Sequence, residues 1–137
     1  MLDGVMPRLP QTFPVHLLGF ADPASLEACV PYGVDTFDAA YPTQIARSGE
    51  VILAHDGSRL RLRSGKFKRD SGPIDPTCRC PVCFGHDGAS TGHSRAYLHH
   101  LFKAKEATGP ALASLHNLFA MVRYTENLRE RIKGGLI

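Results

Sequence analysis

Three cysteines lie within six residues near the middle of the chain, at Cys78, Cys80 and Cys83. Cysteines this close in sequence pair poorly as disulfides, and in a chain of cytosolic character a tight thiol cluster favours a metal site. Zinc in a structural site takes four tetrahedral sulfur or nitrogen ligands, so a fourth ligand must come from elsewhere in the chain. The candidates are Cys29 and the seven histidines.

Among these candidates, His116 is the strongest. It follows Leu115 in a segment of helical periodicity, where its ring can point back at the cysteines and join that helix to them. Cys29 falls in a short predicted helix and is expected to be a small buried hydrophobic residue. The fourth ligand could also be a histidine from a loop, His86 or His93, or from an earlier helix, His99 or His100.

Basic residues are concentrated between Arg59 and Arg69, where six of eleven residues are basic and none is acidic. The formal net charge of +3 is mild, but this clustering is compatible with an anionic partner. On a strand, Arg59, Arg61 and Arg63 share one face, because side chains alternate between the two sides. The alternative is an ordinary solvated face.

The elements that position these residues must fit in 137 residues, a length typical of one domain. A composition of 43% hydrophobic and 21% charged residues argues against a disordered tail or a coiled coil. No apolar run approaches the roughly 20 residues of a membrane span, and residues 1–10 lack the apolar centre of a secretory signal. We therefore expect a soluble cytoplasmic protein with no membrane partner.

The first half of the chain has the pattern of a βαβ unit. Apolar runs at residues 15–18 and 34–40 predict two parallel strands, and Asp22 with Pro23 predicts the start of a helix that ends before Gly33. Such a unit cannot bury both its faces alone. It implies a larger α/β sheet or barrel, of which about a quarter is present here.

The second half is predicted to contain a hairpin and two helices. Residues 50–63 alternate as strands do, with Asp56 and Gly57 as a tight turn between them. Leu98, Leu101 and Phe102 have helical spacing, and a last helix is predicted over residues 110–133. Residues 85–92 are rich in Gly, Ser and Thr, which predicts a loop.

In chain order, these segments resemble the C-terminal part of the tRNA-guanine transglycosylase (queuine tRNA-ribosyltransferase) family over roughly residues 13–133. The matching motifs are Gly33-Val-Asp-Thr-Phe-Asp38, Pro42-Thr43, Arg47, Gly49, Pro73-Ile-Asp75-Pro76-Thr-Cys78-Arg-Cys80-Pro-Val-Cys83, Ser94-Arg-Ala-Tyr-Leu-His-His100 and His116-Asn117. The resemblance implies an α/β fold, the C-terminal portion of a (β/α)8 barrel with a zinc-binding subdomain. It divides the chain into a partial barrel over residues 1–66 and a zinc-binding part with C-terminal helices over residues 67–137.

The resemblance also assigns roles. It implies that Asp38 is the nucleophile, at the carboxyl end of a strand where barrel enzymes place their active sites. Asp35, three residues earlier, is the other candidate nucleophile, and the resemblance favours Asp38 over it. It implies zinc ligation by Cys78, Cys80, Cys83 and His116. It implies base binding by Leu18 and Gly19, and tRNA binding by Gly19, Phe20, Ala21, Asp22, Pro23, Ala24, Ser25, Thr43, Gln44, Ile45, Ala46 and Arg47.

The activity so implied is exchange of guanine in the tRNA anticodon for queuine or a deazaguanine precursor, through a covalent aspartyl-ribosyl intermediate. The partners are the tRNA anticodon loop, the incoming base, and a homo- or hetero-oligomeric subunit. Gln44 stands where the family has Arg, the link over residues 84–93 is longer than usual, and the earlier strands with the base-recognising aspartates are missing. A non-catalytic zinc-containing accessory subunit is the alternative.

Overall fold

The structure is a computed structural model that describes residues 2–10, 12–85 and 92–137. Most of the predicted loop over residues 85–92 and of the long link over residues 84–93 therefore lies outside the described residues, as does His86. The described residues form a mixture of helices and strands, which agrees with the α/β class.

Six α-helices and four strands are formed by the described residues. They are α1 Leu2–Val5, β1 His16–Leu18, α2 Pro23–Cys29, β2 Thr36–Asp38, α3 Tyr41–Arg47, β3 Glu50–Ile52, β4 Arg59–Arg61, α4 Pro81–Phe84, α5 Arg95–Ala104 and α6 Thr108–Lys133. Short 3-10 helices cover Met6–Arg8, Val30–Tyr32 and Gly65–Phe67. Among the described helices, none is long and apolar enough to cross a bilayer.

The predicted βαβ unit is confirmed. Strands β1 and β2 are parallel, with Leu18 opposite Asp38, and α2 connects them. The Asp22 carboxylate caps this helix by accepting a hydrogen bond from the Ser25 backbone N–H at 3.1 Å. Gly33 follows the 3-10 turn with φ of 83°, a left-handed conformation that suits glycine and ends the helical segment.

The hairpin is confirmed, but its tight turn is not. Strands β3 and β4 are antiparallel and only three residues long, and residues 53–58 form a wide connection between them. Two interactions explain the wider loop. The Asp56 carboxylate accepts from the Ser58 backbone N–H at 2.9 Å, and Ala54 is drawn into the core, where it is 6% exposed.

Helix α6 is the main support of the fold. One core cluster joins its residue Ala113 to the hairpin, the cysteine segment and α5, and a second joins Tyr124 and Leu128 to α2 and to Ile52 at the end of β3. The helix begins at Thr108, two residues before the predicted start, with Pro110 in its first turn. The predicted division of the chain near residue 66 stays a prediction.

Candidate metal centre and nucleophile

The three clustered cysteines and His116 meet in one place. Their potential ligand atoms all lie within 4.8 Å of one another. A tetrahedral ion with bonds of roughly 2.3 Å to sulfur holds its ligand atoms somewhat under 4 Å apart, so only a small contraction is needed to bind one. Cys80, Cys83 and His116 are buried and Cys78 is half-buried. This geometry is that of a closed site able to bind a metal ion.

The cysteine segment is shaped by its backbone. Pro81 occupies the first turn of α4, and the Cys80 carbonyl accepts from the backbone N–H groups of Cys83 at 3.1 Å and Phe84 at 2.9 Å. Because these bonds close a single helical turn, the thiols of Cys80 and Cys83 point to the same side. The preceding turn is stabilised by Asp75, whose Oδ1 accepts from the Thr77 backbone N–H at 2.8 Å.

The imidazole of His116 is oriented by the end of β3. Its Nε2 lies 2.9 Å from the Ile52 carbonyl oxygen, which can only accept, so Nε2 carries the proton. Nδ1 is then an unprotonated nitrogen that lies 3.5 Å from Cys80 Sγ and 3.3 Å from Cys83 Sγ. Metal-binding histidines are commonly held in this way by a carbonyl behind the ring.

The thiols of this cluster have unequal acidity. Hydrogen bonds from Cys78 and then Cys83 lower the pKa of Cys80 to about 3, because they stabilise its thiolate. Bonds with Cys78 and Cys80 raise the pKa of Cys83, because they hold its proton in place. A cluster that already favours a thiolate is suited to receive a cation.

The remaining candidate ligands have different surroundings. His99 is buried and its Nδ1 lies 2.8 Å from the Leu62 carbonyl oxygen, so it joins α5 to the hairpin. His93 stacks on Tyr97 with ring centroids 5.2 Å apart. Cys29 is half-buried on α2 rather than fully buried as expected. Of these, none belongs to the group of potential ligands that the described residues bring together.

The predicted nucleophile lies at the carboxyl end of β2. The Asp38 side chain is 61% exposed, and its Oδ1 lies 3.3 Å from both His16 Nε2 and the Gly19 backbone nitrogen. Asp35 is different, since its Oδ2 accepts from the Val15 backbone N–H at 2.7 Å and so stabilises the strand pair. The structure thus leaves Asp38 accessible and gives Asp35 a structural contact, and the nucleophilic role stays a prediction.

Comparison with known proteins assigns the family. A family profile described as Queuine tRNA-ribosyltransferase matches residues 1–137, the whole chain. The chain belongs to the queuine tRNA-ribosyltransferase family. It is 41% identical over 137 residues to the Queuine tRNA-ribosyltransferase of Protochlamydia amoebophila, covering 100% of this chain and 33% of that protein.

Two further relatives carry the same name. The protein of Chlamydia muridarum is 44% identical over 119 residues, which are 87% of this chain and 30% of the relative. The protein of Synechococcus sp. is 38% identical over 131 residues, which are 96% of this chain and 33% of the relative. The chain therefore spans about a third of the length of these queuine tRNA-ribosyltransferases and matches their C-terminal part.

The two stretches assigned to tRNA binding by resemblance to this family differ in exposure. Phe20, Ala24, Gln44 and Arg47 are exposed, so their side chains are accessible to a ligand. Two others, Pro23 and Ala46, are buried and offer little or no surface to a ligand. The tRNA-binding assignment stays a prediction for both stretches.

The half-buried side chain of Asp22, in the first of these stretches, is already engaged within the protein. Burial opposes ionisation of its carboxyl group, but hydrogen bonds from the side chain and backbone of Ser25 prevail, and the pKa of Asp22 is lowered. The Asp22 carboxylate is the N-cap of α2 and accepts from both groups of Ser25. The cap itself therefore occupies part of the polar surface that the family resemblance assigns to RNA.

The basic face is partly neutralised. Glu50 on β3 lies opposite Arg61 on β4, and its carboxylate pairs with Arg59 at 2.9 Å and Arg61 at 3.3 Å. The excess of basic residues between Arg59 and Arg69 did not reveal this neutralisation, because Glu50 precedes the basic run by nine residues. Lys68 and Arg69 are exposed, and within the described residues neither has an ion-pair partner.

Sequence reasoning missed two polar groups in this member of the queuine tRNA-ribosyltransferase family. His16 contacts Asp38, and the signal that could have found it was strand periodicity, which places residues 16 and 18 on the face that bears residues 36 and 38. Asn117 was noted only within a motif, yet it is fully buried and bonds to β3 and to the start of α3.

Proposed function

We propose that this chain is the part of a queuine tRNA-ribosyltransferase that supplies the nucleophile, the anticodon-binding stretches and a zinc-binding subdomain. The reaction is that of a pentosyltransferase, exchanging guanine at the anticodon wobble position for queuine or a deazaguanine precursor. The observation that supports it most is an exposed Asp38 at the carboxyl end of a parallel strand, in a chain that matches the family along its whole length.

In the proposed reaction, a carboxylate oxygen of Asp38 attacks the anomeric carbon of the ribose. The bond from this carbon to guanine breaks, and its electron pair leaves with the base. The incoming base then attacks the same carbon and releases the carboxylate. The groups that recognise the base and transfer its proton lie outside this chain, so we expect no exchange by the chain alone.

Zinc is the proposed metal. A Cys3His donor set is typical of structural zinc, and the Ile52 carbonyl holds the histidine ring in the required tautomer. When bound, zinc supplies a structural cross-link and no chemical step. Cys78, Cys80 and Cys83 would thereby be tied to His116 in the middle of α6.

The barrel and its partners are part of the same proposal. Two parallel strands are too few to be stable in water, and parallel sheets are normally covered on both faces. Here Leu18 is 71% exposed and Phe20 is 55% exposed beside that sheet. These exposures support a partial (β/α)8 barrel over residues 1–66, completed by further strands, and a zinc subdomain over residues 67–137. The cytoplasmic location and an oligomeric partner remain predictions.

The test is a chimera in which this chain replaces the matching C-terminal third of the Protochlamydia amoebophila relative. We expect the chimera to incorporate labelled guanine into tRNA, and Asp38→Asn to abolish incorporation. Asp35→Asn is the matched control, because asparagine keeps an oxygen for the Val15 backbone N–H. Exchange by the Asp38→Asn chimera would contradict the proposed nucleophile. Exchange by this chain alone would contradict the proposed incompleteness.

The same variant discriminates the accessory-subunit alternative. A non-catalytic subunit that only binds tRNA or a catalytic homologue tolerates Asp38→Asn, whereas a catalytic part does not. The Asp38 carboxylate has an oxygen held by His16 and Gly19, an arrangement that a purely binding subunit does not require. This contact favours the catalytic interpretation.

A further inference from the structure

The face of β1 and β2 that bears Asp38 carries a second functional group, the imidazole of His16. In the parallel register, His16 is opposite Thr36 and Leu18 is opposite Asp38, so residues 16, 18, 36 and 38 project to one side. The ring of His16 bridges two residues of the neighbouring strand. Its Nδ1 lies 2.7 Å from Thr36 Oγ1, and its Nε2 lies 3.3 Å from Asp38 Oδ1.

These two contacts determine the tautomer. The Asp38 carboxylate can only accept, so Nε2 must carry a proton to bond with it. In the neutral ring Nδ1 is then an acceptor, and the Thr36 hydroxyl can donate to it. The hydroxyl, the imidazole and the carboxylate thus form one chain of hydrogen bonds that is directed at Oδ1.

The two carboxylate oxygens of Asp38 are therefore unequal. Oδ1 accepts from His16 and also lies 3.3 Å from the Gly19 backbone nitrogen. Oδ2 has no hydrogen-bond partner among the described residues. An exposed hydrogen-bonded pair of this kind contributes little to stability, so its evident effect is on the orientation of the carboxylate.

We propose that His16 is a positioning residue for Asp38: its imidazole, fixed by Thr36, holds Oδ1 so that Oδ2 is presented to the ribose. This inference rests on the proposed function of Asp38. In the attack, Oδ2 forms the bond to the anomeric carbon while the bond to guanine breaks and its electron pair leaves with the base. In the return step the carboxylate is regenerated, and the hydrogen bond from Nε2 stabilises its charge.

The kinetic test uses the chimera described above with His16→Phe and His16→Gln. We expect His16→Phe to lower kcat roughly tenfold to a hundredfold at an unchanged KM for tRNA, the effect of losing one hydrogen bond to a charged group. His16→Gln retains an N–H donor and should recover most of the rate. His55→Phe is the matched control, since His55 forms a similar exposed pair with Asp56, 3.4 Å apart, and should leave kcat unchanged.

A spectroscopic test does not depend on activity. In this chain labelled with 15N-histidine, at roughly pH 8 where an unperturbed imidazole is neutral, the signal of His16 should be that of the Nε2-protonated tautomer. Thr36→Val should reduce that preference. A dominant Nδ1-protonated tautomer would overturn the proposal.

The kinetic outcomes separate the two proposals. Wild-type kcat in His16→Phe, with Asp38→Asn inactive, refutes the role of His16 and retains that of Asp38. Equal losses in His16→Phe and His16→Gln, accompanied by a raised KM and a lower Tm, would also refute positioning, because they indicate a purely structural role. Activity in Asp38→Asn refutes the proposed function itself.

Discussion

Replacing Asn117 with leucine tests how helix α6 is held on the hairpin. Asn117 is fully buried, and its Oδ1 accepts from the Ile52 backbone N–H at 2.9 Å. Its Nδ2 donates to the carbonyl oxygens of Pro42 at 2.9 Å and Glu50 at 3.0 Å. Leucine has nearly the same shape but makes none of these bonds, so one backbone donor and two acceptors lose their partner.

The expected cost follows from that count. A buried polar group left without a partner costs about 1–3 kcal/mol, so three such groups cost roughly 3–9 kcal/mol. Burying the leucine methyl groups offsets about 1 kcal/mol of this. We therefore expect Asn117→Leu to lower the free energy of unfolding by about 2–8 kcal/mol, a large fraction of the 5–15 kcal/mol that stabilises a typical domain.

The assay is urea-induced unfolding followed by far-ultraviolet circular dichroism. The concentration of free zinc is held constant, because a metal that binds the native state raises the apparent stability. Asn127→Leu is the matched control on the same helix, since Asn127 is half-buried and makes one long bond of 3.5 Å to the Ala54 carbonyl oxygen. We expect this control to cost less than about 1 kcal/mol. Equal losses in the two variants would refute the reasoning.

Three further predictions concern the metal, the pH dependence and the basic face. We expect about one zinc per chain by elemental analysis. The zinc should be lost in His116→Ala and kept in Cys29→Ser, because His116 belongs to the cluster and Cys29 does not. Burial, followed by the hydrogen bond to Glu27, raises the pKa of Tyr124 to about 12. Since an unfolded tyrosine ionises near pH 10, stability should fall as pH rises from about 10 to 12, and Tyr124→Phe should reduce that fall in chemical denaturation. Finally, glutamine at both Lys68 and Arg69 should flatten the salt dependence of tRNA binding by about 1–2 in slope, and an unchanged slope and affinity would mean that the face is merely solvated.

Local features were predictable because they depend on backbone sterics and side-chain periodicity. Asp22 and Pro23 mark the start of α2, and the structure has a capped helix there. The spacing of the three cysteines indicated a metal site with a fourth ligand elsewhere, and the structure brings His116 to them from the middle of α6. The helical period also predicted α6 to within two residues at its start.

Other features depend on which residues meet across the fold, and no local pattern contains that information. Glu50 neutralises part of the basic run because the hairpin register sets it opposite Arg61. The hairpin turn is wide because Ala54 packs under α6, an effect that overrides the preference of Asp-Gly for a tight turn.

The amino-acid sequence alone was enough to indicate the family, the cysteines of the candidate metal site and, through the family resemblance, the candidate nucleophile, because these are carried by motifs of short spacing. Only the tertiary structure decided which groups orient them. The Ile52 carbonyl directs the His116 ring across 64 residues, and His16 reaches Asp38 across 22 residues. Such contacts arise from strand register and helix packing, which many residues determine jointly, so they could not be predicted from any one segment.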